Sequence, residues 1–464
     1  MADFNKRVLL FYVALILLLS ACTESRPQKQ ILAQTPPMGW NSWICYGTSV
    51  TEAEVRANAD FMAEFLKPHG WEYVIIDAGW YAPGMVTLEQ YESEHPHQLI
   101  DEYGRLIIDT EKYPSALDGN GLKSLSDYVH SKGLKLGIHI MRGIPVQAYE
   151  HNTPVKGTGY TARDIADPDS HCEWYRGFYG IDMSKPGAQE YYDSIFELYE
   201  SWGIDYVKAD DLLSPVYAYD EIDAISKAVA KLDNPPVLSL SPGPAPVENV
   251  RHMDSVSQLW RISEDFWDNW ESLKKQFPLC RKWQSYGHPG GWPDADMLPI
   301  GPMALRAMRG EPRMTAFTED EQYTMMTLWA MFRSPLMLGC SLPDMDPFTL
   351  SLVTNDDVIA INQHSVDNRE LYEKDGVIVW YARSETGNEH YVAVFNTTDA
   401  GIGKYDFNLN YIGIDDAVSV MDVWSGTEVD EDGGVISFNV NSHGTRLLKI
   451  KISLVSGEKI SNSV

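Results

Sequence analysis

Apolar and polar positions along the chain follow two different periods, and the change from one to the other divides it near Asn362. Before that point, short apolar runs ending in acids or aromatics alternate with stripes at helical spacing. The runs are Tyr73 to Asp77, Leu134 to Met141, Ile204 to Asp210, Pro236 to Ser241, Val256 to Arg261, Met297 to Ile300 and Pro335 to Gly339, preceded by a short strand within Thr35 to Trp43. Val55, Ala59, Met62 and Leu66 form one helical stripe behind a capping box of Thr51 and Glu54. Ala188, Tyr191, Ile195, Leu198 and Trp202 form another, capped by Ser184 with Pro186 in its first turn, and Gly203 ends it. Helices are also expected at Leu122 to His130, Asp265 to Gln276 and Thr318 to Phe332. Strand, loop and helix in repeated alternation predict a (β/α)8 TIM barrel over residues 35–362.

Beyond Asn362 the period drops to two. Val377 to Ala382, Tyr391 to Asn396, Tyr405 to Leu409, Val418 to Val423, Val435 to Val440 and Thr445 to Ile452 are short alternating runs separated by turns such as Glu431-Asp432-Gly433-Gly434. They predict a C-terminal antiparallel β-sandwich over residues 363–464.

The other end of the chain stands outside both patterns. Lys6 and Arg7 precede an apolar run, Val8 to Leu19, too short for a comfortable membrane span. Leu19-Ser20-Ala21-Cys22 follows and resembles a bacterial lipoprotein signal. That resemblance implies removal of residues 1–21, lipidation of Cys22, a polar tether over 22–34 and a place in the cell envelope, with the membrane met only through the anchor. An ordinary signal peptide with a stray cysteine is the alternative.

Charge and composition narrow the function. A formal net charge of −29 would repel nucleic acid. Fourteen Trp and 25 Tyr supply rings that fill cores and can also stack on sugar faces. Cys45, Cys172, Cys280 and Cys340 are scattered without CxxC spacing, so neither a metal site nor a cofactor is expected; disulfides are chemically open to them but unassignable.

Candidate chemistry centres on Gly203-Ile-Asp-Tyr-Val-Lys-Ala-Asp-Asp211. In a strand, Tyr206, Lys208 and Asp210 share a face. A lysine two residues before an acid at the carboxyl end of a barrel strand keeps that acid ionised and able to attack; a structural ion pair is the plainer alternative. Asp77 and Asp296 end other strand-like runs, and Asp265 follows the sixth in Trp260-Arg-Ile-Ser-Glu-Asp265. Two carboxyl groups suit cleavage of a glycosidic bond, and Asp210 with Asp265 is the pair proposed; Asp265 equally suits the acid at a helix start. His139, alone on its strand, reads as a hydrogen-bonded core or pocket histidine rather than a metal ligand.

These motifs together resemble glycoside hydrolase family 27, the melibiase or α-galactosidase family. Its carriers are Met38-Gly-Trp-Asn-Ser-Trp43, Ile76-Asp-Ala-Gly-Trp80, Tyr128-Val-His-Ser-Lys-Gly-Leu-Lys-Leu-Gly-Ile138, Val207-Lys-Ala-Asp210, Trp260-Arg-Ile-Ser-Glu-Asp265, Gly290-Gly-Trp-Pro-Asp-Ala-Asp-Met297 and Val358-Ile-Ala-Ile-Asn-Gln363. The resemblance implies retaining exo-hydrolysis of a terminal α-D-galactoside, with Asp210 as nucleophile and Asp265 as acid/base. It places Lys208 and Asp77 on the sugar hydroxyls, Arg261 near the 2-hydroxyl and nucleophile, Trp43 as an apolar wall, and Asp296 and Met297 at the pocket rim. The chain departs from the pattern at Ala78, where a second acid is usual, at His139, where a tyrosine is usual, at Leu212, where a cysteine is usual, and over Leu240-Ser-Pro-Gly243. Loss of the acid suits β-L-arabinopyranose, which has galactose's ring stereochemistry without C6. β-L-Arabinopyranosidase is therefore the alternative activity, and a non-catalytic glycan-binding surface protein the alternative of another class.

Overall fold

The computed structural model describes residues 31–84, 97–308, 310–415 and 417–453. The apolar run Val8 to Leu19 and Cys22 lie outside the described residues, as does part of the Tyr81 to Tyr113 loop. Eight parallel strands carry the N-terminal part: β1 Met38–Asn41, β2 Tyr73–Ile76, β3 Lys135–Met141, β4 Tyr206–Asp210, β5 Val237–Leu240, β6 Leu259–Arg261, β7 Trp292–Asp294 and β8 Leu336–Leu338. β1 to β7 pair successively in chain order, and β1 also pairs with β8. Leu298, just past β7, closes the ring: its N–H donates to Met337 O at 2.7 Å and its carbonyl accepts from Gly339 N–H at 3.2 Å.

The barrel interior explains two glycines. Tyr73 and Tyr206 fill the axis with ring centroids 5.4 Å apart. A Cβ on Gly39 would lie 2.5 Å from Tyr73 O, and one on Gly137 2.9 Å from Tyr206 Cβ. A side chain at either position would push a tyrosine out of the packed layer.

Helices follow the strands. α1 is Glu52–Phe61, with Thr51 N–H bonded to Glu54 as the capping box requires, and Val55, Ala59, Met62 and Leu66 are fully buried; Met62–Leu66 continue as a π turn. α2 is Lys123–Ser131 and α3 Ala188–Trp202. α3 begins four residues after Ser184, which instead closes a turn on Asp182, its N–H and hydroxyl donating at 3.0 and 2.6 Å. α4 is Tyr219–Val229, α5 Val250–Val256, α6 Trp270–Trp283, α7 Glu319–Phe332 and α8 Asp356–His364.

Three expected boundaries move. Val256 ends α5 rather than opening β6, because the apolar residues near it belong to a helix face. The seventh ladder lies at Trp292–Asp294, before the expected Met297 to Ile300, where a proline within a Gly-rich stretch hid it. α6 starts at Trp270, capped by Asn269, whose Oδ1 accepts Ser272 N–H at 2.9 Å. Asp265 thus sits in the loop after β6 and is not a helix-start acid.

The C-terminal part is a six-stranded antiparallel sheet facing a three-stranded one. Strand parity divides the burial. Val377, Val379, Tyr381, Val392 and Val394 pack towards Phe407, Ile436 and Val440 in a core of their own. Their alternates Ile378, Trp380, Ala382, Ala393 and Phe395 join the barrel's core, with Phe395 against Phe277 of α6 at 5.0 Å between centroids. Three strands lie outside the six expected runs: Thr427–Glu428 and Glu431–Asp432, the latter in an expected turn, are two residues each, and Ser365–Lys374 is polar, irregular in register and at the sheet edge.

Candidate active site

The carboxyl ends of the strands open into a cavity of about 440 Å³, a volume that suits a small ligand. Trp43, Asp77, His139, Lys208, Asp210, Arg261, Asp265 and Met297 all line it. These side chains come from after β1, β2 and β6, from β3, β4 and β6, and from near β7, so one mouth gathers residues scattered over 255 positions because parallel strands all end on the same side.

Asp210 is held from both oxygens. His139 Nε2 meets Oδ2 at 3.1 Å, so the proton on Nε2 points at the carboxylate. Ser241 Oγ donates to Oδ1 at 2.8 Å. Burial pushes the Asp210 carboxyl up, but His139, Lys208 and Ser241 together hold it below the usual range, so it is ionised at neutral pH. His139 itself is 1% exposed. Lys208 and Asp77 form the floor, with Nζ and Oδ2 2.9 Å apart. Asn41 Nδ2 donates to the same Oδ2 at 2.8 Å, and Ala78 N–H to Oδ1 at 2.8 Å. Against the upward push of burial, Lys208 holds Asp77 well below the carboxylate range, and Asp77 raises Lys208 in return.

Replacing Lys208 by Met strands Asp77 in a buried site. A loss of about 3–5 kcal/mol near neutral pH is expected, the usual cost of breaking a buried pair. Because the folded state depresses the Asp77 pKa, its contribution is present above the ordinary carboxylate range and disappears as pH falls through the folded value. Thermal unfolding of both proteins should therefore show a Tm gap at pH 7 that narrows below about pH 4.

Arg261 ties the second half of the site together. Its Nη2 lies 3.2 Å from Asp265 Oδ1 and 2.9 Å from Asp296 Oδ2. The two acids differ in setting: the Asp265 side chain is 58% exposed, that of Asp296 3%. Asp296 does not form the rim as expected. It lies beneath the cavity with a positive φ of 86°, accepting N–H bonds from Phe266 at 2.8 Å and Met297 at 2.7 Å, and so anchors both loops that carry Asp265 and Met297. Burial pushes Asp294, below it, up to about 6 despite Arg261.

Several residues at the site were not singled out from the sequence. Ser241 was noted only as part of an unusual segment, yet it bonds Asp210. Gly243 in the same segment lets backbone meet backbone: a Cβ there would lie 2.1 Å from Ser263 O. Trp174, Glu264, Trp267, Ala307 and Met308 also line the cavity from loops that have no periodic signal. Ala78 is 1% exposed and is absent from the lining, so it sits behind Asp77 rather than at the mouth. The four cysteines Cys45, Cys172, Cys280 and Cys340 are buried thiols.

A barrel with paired acids at its mouth and a β-sandwich behind it is the architecture of a glycoside hydrolase. The chain belongs to glycoside hydrolase family 27, the melibiase family: the family model described as alpha galactosidase A matches residues 35–169 and 177–364, and that of the alpha galactosidase C-terminal beta sandwich domain matches 374–450. It is similar to the crystal structure of a family 27 β-L-arabinopyranosidase from Geobacillus stearothermophilus in complex with arabinose, with 44% identity, 91% of this chain and 98% of that one covered, and a TM-score of 0.88. It is 28% identical to alpha-galactosidase A of Cellvibrio japonicus over 96% of this chain and 99% of the relative. It is 27% identical to the alpha-galactosidase of Cyamopsis tetragonoloba over 90% of this chain and 86% of the relative.

Proposed function

We propose that the chain is a retaining exo-glycosidase that releases terminal sugars of galactose ring configuration, α-D-galactose and β-L-arabinopyranose, with the latter preferred. The observation that carries the preference is that, among the described residues lining the cavity, Asp77 is the only acid from β2 and its loop: Ala78, buried behind it, adds no second carboxylate to accept from a 6-hydroxyl. The 44% identity to a β-L-arabinopyranosidase, against 27–28% to the α-galactosidases, points the same way.

In this reading an Asp210 oxygen attacks the anomeric carbon while the bond to the leaving oxygen breaks, and Asp265 gives that oxygen its proton. Water then enters, Asp265 takes its proton, and the Asp210 ester opens with the original anomeric configuration. The geometry supports these assignments. Asp210 is buried, ionised and doubly hydrogen-bonded, as an attacking group must be. Asp265 is solvent-reachable on a loop, where an incoming water and a departing alcohol both pass, and Arg261 orients it. Asp77 and Lys208 offer an acceptor and a donor to the sugar's hydroxyls, and Trp43 an apolar face. Lipidation at Cys22, with attachment to the envelope, belongs to the same proposal; labelling with a radioactive fatty acid, lost in Cys22→Ala, tests it.

A panel of nitrophenyl β-L-arabinopyranoside, α-D-galactopyranoside and α-N-acetylgalactosaminide tests the substrate reading. The expected order of kcat/KM is the one just written, with at least about tenfold between the first two, the lower bound for one charge-assisted hydrogen bond. A stronger response to the galactoside reverses the preference. No turnover of any glycoside would leave a glycan-binding surface protein.

A further inference from the structure

The family model leaves residues 170–176 unmatched, and this segment carries Trp174 into the wall of the cavity. It joins the strands Ala166–His171 and Phe178–Ile181, which pair antiparallel just beyond the end of β3. Its neighbours fix it to the loop after β2. Gln98 Nε2 donates to Tyr175 Oη at 3.2 Å, the Tyr81 and Phe178 rings meet edge-on with centroids 6.2 Å apart, and a Cβ on Gly177 would lie 2.2 Å from Gln98 Nε2. Trp174 therefore enters the mouth from the β2–β3 side. Among the described residues lining the cavity, Asp77 is the only polar side chain from β2 and its loop. Its carboxylate is already shared by Lys208, Asn41 and the Ala78 N–H.

We propose that Trp174 selects the sugar, covering C5 of the bound ring and favouring an unsubstituted methylene there over a carbon bearing a hydroxymethyl group. The proposal rests on the substrate reading above. β-L-Arabinopyranose and α-D-galactose share every ring configuration and differ at that one substituent. A methylene loses only water on meeting an indole. A hydroxymethyl group loses the water bonded to its hydroxyl and finds no acceptor on the indole in exchange. Asp77 and Lys208, by contrast, are bonded to each other, and Asp77 also to Asn41 and the Ala78 N–H. Trp43 and Met297 sit within segments that the family model matches, whereas Trp174 belongs to the stretch it does not.

The test compares Trp174→Ala and Trp174→Phe with the unaltered enzyme on nitrophenyl β-L-arabinopyranoside and nitrophenyl α-D-galactopyranoside. In Trp174→Ala the kcat/KM ratio of arabinopyranoside to galactoside is expected to fall roughly tenfold or more, the discrimination one pocket methylene commonly supports. Trp174→Phe should keep most of the original ratio. The shift should persist when dinitrophenol replaces nitrophenol, because the wall reads the sugar and not the leaving group. Equal losses on both sugars, or a shift that changes with the leaving group, overturn the proposal. If Trp174→Ala does not fold, judged by thermal unfolding, Trp174→Leu carries the same comparison. Unaltered enzyme without arabinopyranosidase activity overturns the substrate reading itself, and Trp174 selection with it. Activity with an unmoved ratio overturns only the role given to Trp174.

Discussion

Asp210→Asn is expected to lose activity by on the order of 10⁴-fold or more on every substrate, activated or natural, the scale seen when a covalent nucleophile is removed. The amide keeps the volume and one oxygen for Ser241 or His139, so the fold should survive. It cannot attack the anomeric carbon, and no leaving group, however good, replaces that step. The truncation Asp210→Ala adds a sharper signature. With azide supplied in solution, the small anion can enter the vacated space and attack from the nucleophile's side. The glycosyl azide formed should then have the inverted anomeric configuration, read by NMR. A retained azide, or activity near that of the unaltered enzyme, would show that Asp210 is one of the structural acids around Lys208.

Asp265→Asn should behave differently. Proton donation contributes about 10²–10⁴-fold where the leaving group is a poor one, as in a natural glycoside. A dinitrophenolate leaves without help, so the first step should stay fast there and the second, which lacks its base, should become limiting. The expected record is a burst followed by slow turnover on the activated substrate and near-silence on the natural one. Azide should restore the second step and give a product of retained configuration. Equal losses on both classes of substrate would remove Asp265 from the acid/base role. The candidate that would then stand next on the same loop is Glu264, which also lines the cavity.

Much of this site was legible before any coordinates. Period two in Tyr206, Lys208 and Asp210 puts all three on one face, and the structure has Tyr206 in the axis with Lys208 and Asp210 above it, lining the cavity. The capping box at Thr51 and the stripe behind it also correspond to real elements. What could not be read depends on contacts between distant segments. Nothing local to Asp296 says that it faces down onto Arg261 rather than out to the rim; that follows from a left-handed backbone and two loop amides that converge on it. Ser241 gains its meaning only when β5 lies beside β4. Asp265 looked like a helix cap because Asp, Asn and Trp crowd that stretch, and the cap fell to Asn269. In the C-terminal part, alternation was clear, but which parity faces the barrel was not, since both parities are apolar and both are buried. The edge strand Ser365–Lys374 carries too many charges to announce itself.

The double displacement assigned to Asp210 and Asp265 makes one sharp statement about stereochemistry. Retaining enzymes hold their two carboxyl groups roughly 5–5.5 Å apart, too close for a water to slip between nucleophile and sugar. Proton NMR during hydrolysis of nitrophenyl β-L-arabinopyranoside, recorded before mutarotation, observes the outcome directly. β-L-Arabinopyranose should appear first, with the α anomer growing in only as the free sugar equilibrates. First appearance of the α anomer would mean that water attacks the sugar directly, and would contradict a covalent role for Asp210.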